Sequence, residues 1–260
     1  MNVVQADLLS LAVEQACRDL QAGAHVWLCD GGEALTAGER EQCLALLSAD
    51  ELARYRRFVF EQDGNRFLTA HALLRKVLSR YSNTPPQQWR FEINAHGRPA
   101  LAGRSGLYFN LSHTQGLCAC VVSATPLCGV DVENMQRRNR LPGVAQRMFA
   151  ESELQQLRGC DDAAYRLRFF QYWTLREAYV KALGTGLSAS SRQFWFELQG
   201  AEREQWGARL CFDEAPPKHA AADWRFYGWR AMPGHVAAVA LGDHAGEAQV
   251  RFQQVDLRRL

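Results

Sequence analysis

Blocks in which apolar residues recur every three or four positions alternate along this chain with shorter stretches that change polarity at every residue, so helices and strands are interleaved throughout. Residues 1–22, with Leu8, Leu9, Leu11, Ala12 and Val13 apolar, predict an amphipathic helix, and His25 to Cys29 predicts a short buried strand. A helical pattern covers 38–47. Ser48 with Glu51 three residues later then has the form of a capping box opening the next helix. From Glu51 to Tyr81 the spacing stays helical. Residues 88–94, 107–111, 117–123 and 129–133 alternate like strands. Short helices over 144–149 and 153–159 lead into a long one over 161–183, where the periodic pattern stops at Gly184, a residue suited to the left-handed conformation that closes a helix. Four further strand-like segments, 194–198, 208–212, 224–229 and 235–241, are followed by a last candidate at 248–255. The class is α+β, read as an N-terminal half over 1–125 and a C-terminal half over 126–260.

With 260 residues, 47% hydrophobic and 22% charged, the chain has the composition of a globular protein with a large core. Its net charge of +2 gives no electrostatic footprint for nucleic acid. No apolar run is long enough to span a bilayer, and the first twenty residues, which carry Asp7 and Glu14, lack the pattern of a secretory signal. A cytoplasmic protein is expected. The eight cysteines include no CxxC pair and no zinc spacing, and Cys118 and Cys120 lie in an apolar stretch as inert packing thiols.

Four stretches carry candidate chemistry. In Gly129-Val130-Asp131-Val132-Glu133 a strand would place both valines on one face and both carboxylates on the other, which is costly to bury without a cation and unremarkable on an exposed edge. Glu177 and Lys181, four residues apart on the long helix, are either a surface pair or functional groups. With Asp131 and Glu133, Glu177 makes a hard-metal set suited to Mg²⁺. Asn110-Leu111-Ser112-His113 ends a strand with a hydroxyl and an imidazole that must point opposite ways, so they are not a hydrolase pair. Arginines between 51 and 81, and Arg98 at a turn, are either solvated or gathered on a phosphate, which their forked donors suit.

NLSH at 110–113, GVDVE at 129–133 and WTLREAYVKALGTGL at 173–187, in that order, resemble the three signatures of the 4′-phosphopantetheinyl transferases, most closely the surfactin-synthetase-activating type. The resemblance runs from about Leu47 to Leu241. It implies two similar α+β halves with the active site between them, the first holding the 3′-phosphate and adenine side of coenzyme A, the second the metal and the catalytic helix. The implied reaction moves the phosphopantetheine arm of coenzyme A to a serine of an acidic acyl or peptidyl carrier protein and releases adenosine 3′,5′-bisphosphate. By matching positions, Asp131, Glu133 and Glu177 would bind Mg²⁺, or Mn²⁺ in its place. Lys181 would contact the pyrophosphate, and Arg54, Arg66, Arg98, Ser112 and His113 the co-substrate. Glu177 and Lys181 are the expected catalytic residues. Two positions depart from the family pattern: Arg176 replaces a lysine before Glu177, and Glu51 stands where some members have a base.

Met148, Phe149 and the basic loop over 137–140 are expected to form part of the carrier dock. No nucleic-acid or membrane partner is expected, and two fused halves would let a monomer build the whole site. Two rivals use the same residues: a Mg²⁺-dependent phosphohydrolase or nuclease, and a coenzyme A-binding protein without catalysis.

Overall fold

Two long helices, α4 (Glu61–Leu78) and α7 (Asp162–Leu183), lie on the outer faces of two five-stranded sheets that pack against each other, giving layers in the order helix, sheet, sheet, helix. The structure, a computed structural model, describes residues 3–32, 34–103, 106–137, 141–184, 193–213, 223–243 and 248–260. Residues 185–187 of the stretch 173–187 and residues 138–140 of the basic loop lie outside the described residues.

Before α4 come β1 (Val3–Gln5), α1 (Val13–Asp19), β2 (Gly23–Cys29), α2 (Ala37–Leu44) and α3 (Ala49–Tyr55). After it come the small hairpin β3 (Phe91–Ile93) and β4 (Pro99–Leu101), then β5 (Tyr108–Thr114) and β6 (Leu117–Ser123). The second half contributes β7 (Cys128–Asn134), α5 (Leu141–Met148), α6 (Glu151–Leu157), then α7, β8 (Phe194–Gln199), β9 (Gln205–Phe212), β10 (Trp224–Met232) and β11 (His235–Gly242). The last strand, β12 (Gln249–Gln254), returns to the first sheet, whose order is β1-β12-β2-β6-β5; the second is β7-β11-β10-β9-β8.

The alternation of each inner strand divides its side chains between two cores. In β2 and β6, Val26, Leu28, Ala119 and Val121 meet Val130, Val132, Ala237 and Val239 of the other sheet, while Trp27, Cys118, Cys120 and Val122 face α4. In β11, Val236, Ala238 and Ala240 pack on α7. Cys118 and Cys120 are fully buried, as packing thiols.

The mixed α+β class is as the pattern implied, and the two halves are as the resemblance implied. Two expectations change. Residues 1–22 are not one helix: Ser10 donates through its backbone and its hydroxyl to Asp7, making a turn that separates β1 from α1. The half expected over 126–260 is also not self-contained, because β12 pairs in parallel with both β1 and β2.

Candidate active site

β5 and β7 are edge strands of different sheets, and what joins them is a row of side chains. Asn110, Ser112 and Thr114 occupy alternate positions of β5. Their side-chain oxygens accept from the backbone N–H groups of Val130 (3.1 Å), Val132 (3.3 Å) and Asn134 (3.3 Å) on β7. The period of two that makes these three residues share a face also sends His113 to the other, where it is exposed.

β7 in turn presents Gly129, Asp131 and Glu133 to α7, with Val130 and Val132 in the core between the sheets. Gly129 is what lets the helix come close: a Cβ there would lie 2.0 Å from the carbonyl oxygen of Ala178 and 2.7 Å from the amide of Ala182. α7 is opened by Asp161, which accepts from the Ala164 amide at 2.8 Å, and closed by Gly184 at φ 69°.

Three polar groups converge where strand and helix meet. Lys181 Nζ donates to Asp131 Oδ1 at 2.6 Å and to Ser112 Oγ at 2.9 Å, and Ser112 Oγ donates to the same Asp131 oxygen at 2.8 Å. Asp131 Oδ2 is buried and has no hydrogen-bond partner. Glu133 accepts from Trp173 Nε1 at 3.0 Å and lies 3.4 Å from Arg137. Burial, then the negative charge of Asp131, pushes the Glu133 carboxyl up. For Glu177 burial and again Asp131 raise it to about 7, against the pull of Lys181. Glu133 and Glu177 therefore both lie in the field of Asp131.

Hard carboxylates with one orphaned buried oxygen fit a divalent cation such as Mg²⁺. Among the described residues no three of His, Cys, Asp or Glu close around a metal-sized point, and Lys181 supplies the positive charge at Asp131.

The remaining expected residues divide. His113 opens to solvent on one side, and the protein packed around the rest of its ring, then the charges of Lys181 and Arg66, lower its imidazole to about 4. Arg66 also pairs with Asp63 at 2.9 Å, and Arg54 stands exposed over the Phe67 ring at 5.3 Å. Ser112 is committed to the strand junction and to Asp131. Arg98 donates to the carbonyls of Ala182 (2.5 Å), Pro126 (3.0 Å) and Cys128 (3.3 Å), tying the end of α7 and the start of β7 to the first half. Arg176 is fully buried with Glu153 at 2.6 Å and stacks over Phe194 at 4.5 Å. Phe149 is 1% exposed and packs on Phe169 and Tyr172, so it is no docking residue.

Sequence reading missed Trp173 as a partner of Glu133, although it lies one turn before Glu177 on the same face, and missed Asn110 and Thr114 as the strand junction, although their spacing is visible. A cavity of about 710 Å³ lies elsewhere, lined by Leu35, Cys43, Thr69, Lys76 and Leu257, and shares none of these acids.

Fold and site together define a two-half α+β protein with carboxylates and a lysine gathered where the halves meet. Residues 127–240 match the model of the 4′-phosphopantetheinyl transferase superfamily, and residues 36–126 match the N-terminal model of 4′-phosphopantetheinyl transferases. The chain is 30% identical over 176 residues to the 4′-phosphopantetheinyl transferase psf-1 of Bacillus pumilus, covering 68% of this chain and 73% of that one. It is 27% identical over 164 residues to 4′-phosphopantetheinyl transferase Sfp of Bacillus subtilis, covering 63% and 72%. To 4′-phosphopantetheinyl transferase HetI of Nostoc it is 41% identical over 147 residues, covering 55% of this chain and 62% of HetI, less than two thirds of that relative's length. The chain belongs to the 4′-phosphopantetheinyl transferase family.

Proposed function

We propose that the protein transfers the 4′-phosphopantetheine group of coenzyme A to a serine of an apo acyl or peptidyl carrier protein, releasing adenosine 3′,5′-bisphosphate. The observation that carries this reading is the junction at which Ser112 of the first half meets Asp131 and Lys181 of the second, with Glu133 and Glu177 in the field of Asp131. Acids that need a cation lie beside a lysine suited to an anion, which is what a metal-assisted phosphate transfer requires.

Asp131, Glu133 and Glu177 would hold Mg²⁺, or Mn²⁺, which neutralises charge on phosphate oxygens when bound. The chain's own residues do the rest. Lys181 is placed to stabilise phosphate oxygens as a point charge while Ser112 and Asp131 fix its position. Glu177, one turn before Lys181 on α7, is the group placed to accept the proton that the carrier serine loses as it attacks. Arg66 and His113 hold the nucleotide end, and Arg98 keeps the two walls of the cleft in register.

We place the protein in the cytoplasm, acting as a monomer on an acidic carrier, without nucleic-acid or membrane partners. Among the described residues no helix is long and apolar enough to cross a membrane.

The test is intact mass spectrometry of an apo carrier protein incubated with this protein, coenzyme A and Mg²⁺. One added phosphopantetheinyl group, lost with EDTA and with a serine-to-alanine carrier, supports the reading. Phosphate release without a carrier favours a hydrolase instead, and coenzyme A binding without transfer to any of several carriers favours a binding protein.

A further inference from the structure

Glu51 is an acid at a position where some members of the family have a base, and the structure shows it fully engaged. At the N3 position of α3 it accepts from the Ser48 amide at 2.8 Å. The same Oε2 accepts from Arg75 Nε at 3.0 Å and Nη2 at 2.5 Å, and Oε1 faces His71 Nδ1 at 2.8 Å. Arg75 is itself immobile: it is fully buried, its Nη1 donates to the carbonyls of Pro86 (2.9 Å) and Trp89 (3.2 Å), and its guanidinium lies over the Phe91 ring. Glu51 therefore cannot swing toward a ligand.

Burial alone would raise the Glu51 carboxyl, but the bonds from His71, Arg75 and Ser48 outweigh it and hold the group at about 2. An ionised carboxylate only accepts, so Nδ1 of His71 carries the proton and the tautomer is fixed. The ring is also held flat against Phe67, with centroids 4.0 Å apart. Nε2 is then the one ring nitrogen not spent on Glu51. His71 lies on α4, which packs on β5, the strand that carries His113.

We infer that His71 binds a phosphate of the co-substrate through Nε2 and that Glu51 positions it, so the base missing at position 51 is replaced by an imidazole twenty residues later. This rests on coenzyme A being the co-substrate. Charged, the ring donates from Nε2 to a phosphate oxygen. The fixed Nδ1–H bond keeps that donor aimed without the entropy cost of a free lysine.

Two amide substitutions separate the two ring nitrogens. In His71→Asn the amide nitrogen takes the place of Nδ1 and keeps a donor for Glu51 while removing Nε2. In His71→Gln the amide reaches the Nε2 position. Coenzyme A and 3′-dephospho-coenzyme A are titrated calorimetrically into the whole protein with Mg²⁺, and melting temperatures are recorded. The expected result is a coenzyme A Kd about tenfold weaker for His71→Asn with melting unchanged, a smaller loss for His71→Gln, and KM rising while kcat holds. Loss confined to coenzyme A assigns the 3′-phosphate; equal loss for both ligands assigns the pyrophosphate. A His71→Asn Kd within twofold of the unsubstituted protein overturns the inference, because a ring serving only Glu51 would be replaced by asparagine without loss. If His71→Asn does not fold, an unchanged Kd for His71→Gln with equal melting gives way to His71→Ala, whose wild-type Kd likewise overturns it. Binding is read without transfer: coenzyme A bound but no carrier modified refutes the proposed reaction and leaves this inference standing, whereas no binding by the unsubstituted protein refutes both.

Discussion

Lys181 on α7 and Asp131 on β7 form an ion pair of 2.6 Å that a serine from the other half, Ser112, completes. One oxygen of Asp131 is thereby fixed by two donors and the second is left bare in a buried place. A carboxylate so arranged is oriented before any ligand arrives.

Asp131→Asn removes the charge while keeping the shape. Mn²⁺ binding followed by electron paramagnetic resonance is expected to weaken by about ten- to a hundredfold, with phosphopantetheinyl transfer falling at least as far. Ordinary Mn²⁺ affinity in this variant would remove Asp131 from the metal set.

Glu177 makes the metal-free protein sensitive to pH. Burial and Asp131 raise its carboxyl to about 7 in the folded chain from an ordinary 4.5, so between those values the folded state keeps a proton that the unfolded state has released. The stabilisation is complete below 4.5 and disappears as pH rises through 7, by at most about 3 kcal/mol. His25 and His113, both lowered to about 4, act in the opposite direction over part of this range. The difference in urea midpoints between wild type and Glu177→Gln, in EDTA at several pH values, is therefore the quantity to read. It should grow in favour of Glu177→Gln from pH 4.5 to 7 and then level off.

Glu153 and Arg176 are each fully buried in side chain, and Glu153 also accepts from the amides of Ala150 and Phe196. Arg176→Met leaves that carboxylate uncompensated and is expected to cost about 3–5 kcal/mol by chemical denaturation. Adding Glu153→Gln should recover part of the loss, and additive losses would show that the two are not coupled.

Gly129→Ala probes the contact that brings Glu177 and Lys181 to Asp131. With Ala178 and Ala182 already at the limit, the added methyl has to part helix from strand, at about 1–3 kcal/mol. Melting temperature and transfer should fall together. Unchanged transfer would mean that the acids tolerate a wider gap.

The features readable in the sequence were those set by local period: the capping box of Ser48 and Glu51, the close of α7 at Gly184, and the two faces of the GVDVE strand. Opposed directions for Ser112 and His113 also followed from extended geometry. The roles of Ser112 and Arg98 did not, because each depends on what the other half brings alongside: a strand edge for one, the end of α7 for the other. Phe149 was misplaced for a related reason. It follows α5 directly, and which way it points depends on how α5 and α6 settle on α7.

The insertion of β12 between β1 and β2 sets the order in which the molecule can be completed. A ribosome must finish β7 through β11 before the strand that bridges β1 to β2 exists, so the first half waits, with β2 lacking a neighbour, while the second is made. Dissection at residue 126 should yield an N-terminal fragment with an open sheet edge that aggregates, and supplying 249–254 in trans should relieve it.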